Sequence, residues 1–320
     1  SLILRFGSDN RQKLSNNLLS AGGKVMEFSV IIKPDEDGYT GRECPACEKY
    51  FKIKFGTGLP DATDCHCPYC NRVGPQNEFW TKQQIEYAKS VALNKISGDF
   101  LKQMKKLEKR PDRNAFISIG ITVKGQPTPI AYYSEEELEE HVACAVCTLQ
   151  YTIFGAFGYC PDCGVHNSQQ IVNANFDLVL KILDLASIAD GEIKAKLVEN
   201  ALEDAVSAFD GFGREHCSNL THKISFQNIS GAKDKLLREE GLDITAGLGA
   251  DRWNFICEQF QKRHLLAHKM GIIDEEFVQK TGHSPSLIGR KVPITENDVR
   301  VLVGDLKVVV GNLFNGVARS

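Results

Sequence analysis

Long apolar runs are missing from this chain of 320 residues. No stretch approaches the eighteen or so residues that span a bilayer, so no membrane partner is expected. An excess of either charge is missing too. The 38 Lys and Arg against 41 Asp and Glu leave a net charge of -3, so any nucleic-acid surface has to be local. Ser1 to Gly7 is too short and too soon interrupted by Arg5 for a secretory apolar core, and a cytoplasmic location is expected. A hydrophobic share of 42% with 25% charged residues excludes a disordered chain. The length suits two or three ordinary domains.

Cysteine, by contrast, is plentiful. Eight of the 11 cysteines fall as Cys44-Pro-Ala-Cys47, Cys67-Pro-Tyr-Cys70, Cys144-Ala-Val-Cys147 and Cys160-Pro-Asp-Cys163. Two cysteines separated by two residues sit on a tight turn with both sulfurs facing one point, which suits tetrahedral zinc. The gaps from Cys47 to Cys67 and from Cys147 to Cys160 each fit a hairpin between two such turns. Asn71 and Gly164 follow the last cysteine of their sites, where positive φ is often required. Disulfides would need an oxidising compartment, and redox Cys-x-x-Cys a βαβ setting that no pair here has. The pattern predicts two structural Zn2+ sites: Cys44, Cys47, Cys67 and Cys70, then Cys144, Cys147, Cys160 and Cys163. At the first site Cys65 and His66 stand beside Cys67 and compete as ligands. Cys217 and Cys257 read as core thiols.

The predicted fold class is α+β and multidomain: an N-terminal zinc-ribbon β/α region, then an all-α helical bundle. Residues 1–80 read as the first ribbon, with strands at Val25 to Ile32 and Tyr50 to Phe55 and a turn at Asp35 to Gly38. Residues 81–113 read as one helix, capped by Thr81 and running to about Arg110. Leu93, Ile96, Phe100, Met104 and Leu107 form its expected buried stripe. Lys102, Lys105, Lys106, Lys109, Arg110 and Arg113 form a basic stripe, either a phosphate track or simply the solvated face. Residues 114–170 read as strands at Ala115 to Val123 and Pro129 to Tyr133, a short helix opened by Ser134 to Glu137, and the second ribbon. Residues 171–320 read as helices at Phe176 to Ala189, Ile193 to Phe209 and Lys233 to Glu240. A helix capped by Asp251 follows, with a core face of Trp253, Ile256, Cys257, Phe260 and Ala267. The last is capped by Thr295.

The fourth of these helices carries Arg263-His264-Leu265-Leu266-Ala267-His268. Arginine grips phosphate with a planar fork of donors, and histidine moves protons near neutrality. These six residues resemble the R-x4-H motif of the HEPN superfamily. The setting is similar too: a late bundle helix, then Gly271, a loop and a terminal helix. The resemblance implies an all-α bundle, a homodimer, and metal-independent endoribonuclease activity with Arg263, His264 and His268 as catalytic residues. It further implies a 2′,3′-cyclic phosphate product, no catalytic metal, and added site residues from another helix, with Asp210, Arg214 and His216 as candidates. RNA is then the expected partner, and the ribbons would recognise it or a trigger or regulatory protein. A prokaryotic antiviral-defence or toxin system is the expected context. A catalytically silent binding module for nucleic acid or nucleotide is the alternative. Arg263 and His268 lie five positions apart, about 140° around a helix, so dimer pairing would have to pool the two motifs. His264 and His268 share one face at zinc-ligand spacing, yet lack the glutamate of H-E-x-x-H. Plain surface packing is the remaining reading of the trio.

Overall fold

Short strands interrupted by Cys-x-x-Cys turns build the first half of the chain. A computed structural model describes residues 2–4, 13–19, 25–108, 122–138, 140–218 and 224–317. It divides into two units, Ser1–Val165 and His166–Ser320. The fold is mixed α+β, with two cysteine clusters in the first unit and helices throughout the second.

In the first unit β1 (Leu2–Leu4), β2 (Lys13–Leu19) and β3 (Val25–Ile31) form an antiparallel meander. Next come β4 (Tyr39–Glu43), β5 (Tyr50–Lys54), β6 (Asp64–His66) and β7 (Val73–Pro75). After α1 (Lys82–Lys105) follow β8 (Glu140–Ala143) and β9 (Gln150–Ile153). The hairpins β4–β5 and β8–β9 join edge to edge in one sheet, ordered β4-β5-β9-β8. Alternation puts Phe51, Ile53, Tyr151 and Ile153 in the buried cluster that also contains the cysteines.

These hairpins are copies. Cys44 and Cys47 correspond to Cys144 and Cys147, Phe51 to Tyr151, Lys52 to Thr152. Across the β5–β9 join Lys52 pairs with Thr152 and Ile53 with Tyr151, so an approximate two-fold axis passes through the Lys52–Thr152 pair. The second turns obey the same axis. His66 N donates to Pro161 O at 2.8 Å, and its counterpart Tyr159 N donates to Pro68 O at 2.9 Å.

Helix α1 starts where expected, with a capping box between Thr81 and Gln84. Its buried face is not the expected one. Ala88 packs against Val30, Ile32 and Trp80, and Ala92 is buried one turn on, whereas Leu93, Phe100 and Leu107 are exposed. Small residues let the helix approach β3, and the larger stripe lies to one side. The helix stops at Lys105, short of Arg110, in a turn in which Leu107 N donates to Met104 O. Lys109, Arg110 and Arg113, with most of the expected strand Ala115–Val123, lie outside the described residues. Pro129 to Tyr133 is not a strand: Thr128 and Ala131 give their amides to Ser97 and Ser90 of α1. Nor do Ser134 to Glu137 open a helix. Glu135 instead accepts from Tyr50 and Gln84, and these tertiary bonds replace the local cap.

The second unit holds α2 (Ser168–Ile188), α3 (Gly191–His216), α4 (Ile229–Glu240), α5 (Ala250–Lys269), α6 (Glu275–Thr281) and α7 (Glu296–Val317). Helix α3 runs two turns past the expected end, because Gly213 presses against the Phe226 ring and its missing side chain leaves the room. Asp251 is not a cap. Gly249 holds that position, and Asp251 sits in the first turn of α5. Helix α6 lies in the expected loop, capped by Asp274 onto Phe277 N. Phe176, Leu183, Phe209, Phe260, Leu302 and Leu306 stand in one continuous apolar core. The Arg252–Asp305 ion pair, its carboxylate buried, ties α5 to α7. Among the described residues no helix is long and apolar enough to cross a membrane.

Candidate metal centres and the α5 site

Each cysteine pair sits on the same backbone device. The first cysteine's amide donates to the carbonyl five residues on: Cys44 to Lys49, Cys67 to Arg72, Cys144 to Leu149 and Cys160 to Val165. The residue after the second cysteine turns left-handed and donates back to the first: Glu48 at φ 56°, Asn71 at 54°, Thr148 at 66°, Gly164 at 67°. Both sulfurs then face inward, and the amides of Ala46, Tyr69 and Val146 point at the first sulfur of their turns at 3.4 Å.

The eight sulfurs converge in two groups, Cys44/Cys47/Cys67/Cys70 and Cys144/Cys147/Cys160/Cys163, each with its atoms within 4.8 Å of one another. Across the turns the S···S distances are 3.7 and 3.6 Å in the first group, 3.6 and 3.5 Å in the second. A disulfide would need ~2.05 Å. A tetrahedral ion bound at ~2.3 Å to each sulfur puts its ligands ~3.8 Å apart, so both groups fit a metal. The competition at the first group resolves: Cys65 is buried outside it, and His66 bonds Asn71 Oδ1 at 3.2 Å. The groups differ in cover. Cys70 is exposed, whereas in the second only Cys163 is even half-exposed.

Helix α5 carries the Arg–His motif. Ile256, Gln259 and Phe260 are buried on its core-facing side. At about 100° per residue, Arg263, Ala267 and Met270 continue that stripe. Arg263 is half-buried, and its Nε is buried with no partner. One turn on, the cover ends: Ala267 is exposed and Met270 is 88% exposed. Ala267 is therefore not core, and Leu265, turned toward α6, takes that role in a smaller cluster with Ile273, Phe277 and Val292. Met270 caps the helix at φ 55°, an uncommon conformation for a side-chain-bearing residue. His264 and His268 lie on the neighbouring face, both exposed, their ring centroids 4.7 Å apart.

Arg263 is not joined to either imidazole by a hydrogen bond. Nor do Asp210, Arg214 and His216 join the trio through any hydrogen bond or ion pair among the described residues. Asp210 is buried, pairing Arg214 at 2.7 Å and accepting from Gln227. His216 is stacked between Phe212 and Phe314 and lies 3.4 Å from Ser168 Oγ. One residue escaped sequence reasoning: Gln259, fully buried a turn before Arg263, with both amide atoms unpartnered. A glutamine at an apolar position, four residues before the motif arginine, was the available signal. Two of the remaining cysteines are core thiols: Cys217 is buried, and half-buried Cys257 touches Ser230 Oγ at 3.1 Å.

No protein-family model matches this chain, and neither does any curated protein or solved structure.

Proposed function

We propose that this chain is a metal-independent endoribonuclease of HEPN type, with structural zinc in both cysteine groups. The observation that carries the reading is the uncovered last turn of α5. There a half-buried arginine, two touching exposed imidazoles and bare apolar positions at Ala267 and Met270 lie within two helical turns. An exposed apolar patch beside ionisable groups marks a contact surface. A second copy laid against this turn supplies the assembly, because a two-fold interface brings each residue to its own symmetry mate. Arginine from one copy then meets histidine from the other, which overcomes the divergence within a single helix.

In this reading the ribose 2′-oxygen bonds to the adjacent phosphorus while the bond from phosphorus to the 5′-oxygen breaks. His268 takes the 2′-OH proton, and His264 returns one to the leaving 5′-oxygen. Arg263 stabilises the charge developing on the phosphate oxygens. The product is a 2′,3′-cyclic phosphate, and DNA, lacking the 2′-OH, survives. Zinc is the ion best suited to four thiolates. The ribbons recognise RNA or a trigger protein, and resemblance alone supports an antiviral-defence or toxin context in a prokaryote.

The test is cleavage of one sequence as RNA and as DNA, in millimolar EDTA, with retained zinc measured alongside. His268→Ala should lower RNA cleavage ~10²–10⁴-fold. Arg263→Ala should be similarly severe, and Arg263→Lys should rescue little, since a point charge cannot reproduce the bidentate fork. Cleavage that survives His268→Ala, vanishes in EDTA while the structural zinc stays, or extends equally to DNA leaves the silent binding module in its place.

A further inference from the structure

Each Cys-x-x-Cys turn encloses two residues, and in the second turn of each ribbon the other ribbon holds both. Pro68 and Tyr69 lie between Cys67 and Cys70. Pro68 O accepts from Tyr159 N at 2.9 Å, and the Tyr69 hydroxyl accepts from Phe154 N at 3.0 Å. Pro161 and Asp162 lie between Cys160 and Cys163. Pro161 O accepts from His66 N at 2.8 Å, and Asp162 Oδ2 accepts from Leu59 N at 2.9 Å.

The donors belong to the stretches that lead from strand to metal. His66 and Tyr159 directly precede the first cysteine of their own turns, while Leu59 and Phe154 lie in the loops leaving β5 and β9. The loop at Leu59 is pressed against the second ribbon. Gly58 stands there at φ 84°, where a β-carbon would meet the Asp162 carboxylate and lie 2.9 Å from Leu149 Cβ. A small ribbon without its ion lacks the burial to hold such stretches in place. It then offers its neighbour's turn no fixed donors. An ion that orders one ribbon thereby lowers the ordering cost left for the other.

We propose that the two cysteine groups bind their ions cooperatively, coupled through these four hydrogen bonds between the ribbons. Such coupling is reciprocal, and linked sites commonly change one another's affinity about 5–150-fold. The inference rests on the metal reading and is independent of the nuclease reading.

The experiment is native mass spectrometry of the zinc-loaded full chain, equilibrated with chelator until half of the zinc is withdrawn. Independent sites, equal or unequal, leave at least half of the chains with a single ion. Cooperative sites leave mostly empty and doubly loaded chains. About tenfold coupling of equal sites lowers the singly loaded share to about a quarter. Asp162→Ala deletes one of the four bonds, spares every cysteine and should raise that share. Tyr69→Phe removes the other side-chain acceptor and should act in the same direction. A singly loaded share of half or more in the wild type overturns the proposal. So does a share that neither substitution moves, which places any coupling outside these bonds. A wild-type chain that holds fewer than two ions at saturation refutes the metal reading itself, a different failure.

Discussion

The two units reach order by different means. In the first, the cluster around the cysteines contains only a handful of large apolar side chains, chiefly Phe51, Ile53, Phe79, Tyr151 and Ile153. In the second, one core runs through five of its helices, from Val172 to Leu313. Apolar burial contributes roughly 25 cal/mol per Å², and small ribbons bury too little to offset chain entropy. On the proposed metal reading the first unit depends on ions at its two cysteine groups, and the second depends on its packing. The two should fail under different insults.

The largest expected effect is metal removal. Structural zinc contributes ~10–16 kcal/mol in small zinc-binding peptides, on the scale of a typical domain's entire net stability. A chelator strong enough to empty both sites should unfold the ribbons and leave the helical unit folded. Limited proteolysis would then give a resistant fragment beginning near His166. Phe209→Ala should do the reverse. Phe209 is fully buried between Phe226 and Phe260, and its truncation should cost ~3–5 kcal/mol with no change in bound metal. Resistance of both units to chelator would dissolve the distinction.

Sequence and structure agree unevenly across this divide. The two cysteine groups were legible because a metal-binding pattern is written in exact spacing and one residue type. Only Cys65 and His66 blurred it, since their exclusion from the first group depends on three-dimensional direction. The helices were legible as periodic stretches, but their ends were not: α3 continues through Gly211 and Gly213 because Phe226 fills the space beside it. The stripe on α1 misled for a related reason. Leu93, Phe100 and Leu107 have the right period, yet Ala88 and Ala92 decide which face can come close. Arg263, His264 and His268 were visible as a motif, whereas the bare last turn beside them depends on how far the bundle extends.

A smaller effect separates the units by pH. His166 and His216 of the helical unit have ring centroids 6.3 Å apart. Burial first, and then the neighbouring His216, holds the pKa of His166 down at about 4; burial lowers that of His216 too. Glu215 lies 3.8 Å from His166 Nε2 without offsetting the burial. The sign follows directly. The unfolded chain takes up protons near pH 6.5 and the folded unit resists them. The associated stability is fully present above about pH 6.5 and is lost as pH falls toward 4, at up to ~1.4 kcal/mol per pH unit for His166. His166→Phe should flatten this dependence in denaturant titrations of the helical unit between pH 6.5 and 4. An unchanged slope would place the acid sensitivity elsewhere.

The smallest effect returns to the ribbons and asks whether their four turns are equivalent. All require a left-handed residue after the second cysteine, and only Gly164 takes it without a side-chain penalty. Thr148 is the worst suited, because a branched β-carbon crowds the backbone at φ 66°. Its compensation is one hydrogen bond from Oγ1 to Cys147 O at 2.6 Å, and the residue is exposed. Left-handed backbone costs an ordinary residue ~1–2 kcal/mol, while glycine adds up to ~1 kcal/mol of unfolded-chain entropy. Thr148→Gly should therefore stabilise the metal-loaded first unit by about 0.5–1 kcal/mol. Gly164→Ala runs the comparison backwards. It meets the same backbone cost, and the new β-carbon would lie 2.6 Å from the His66 ring, so the loss should exceed the gain at Thr148. Thermal melts of both variants at saturating metal decide the matter: opposite signs mean one backbone rule governs all four turns, and a shared sign means local contacts outweigh it.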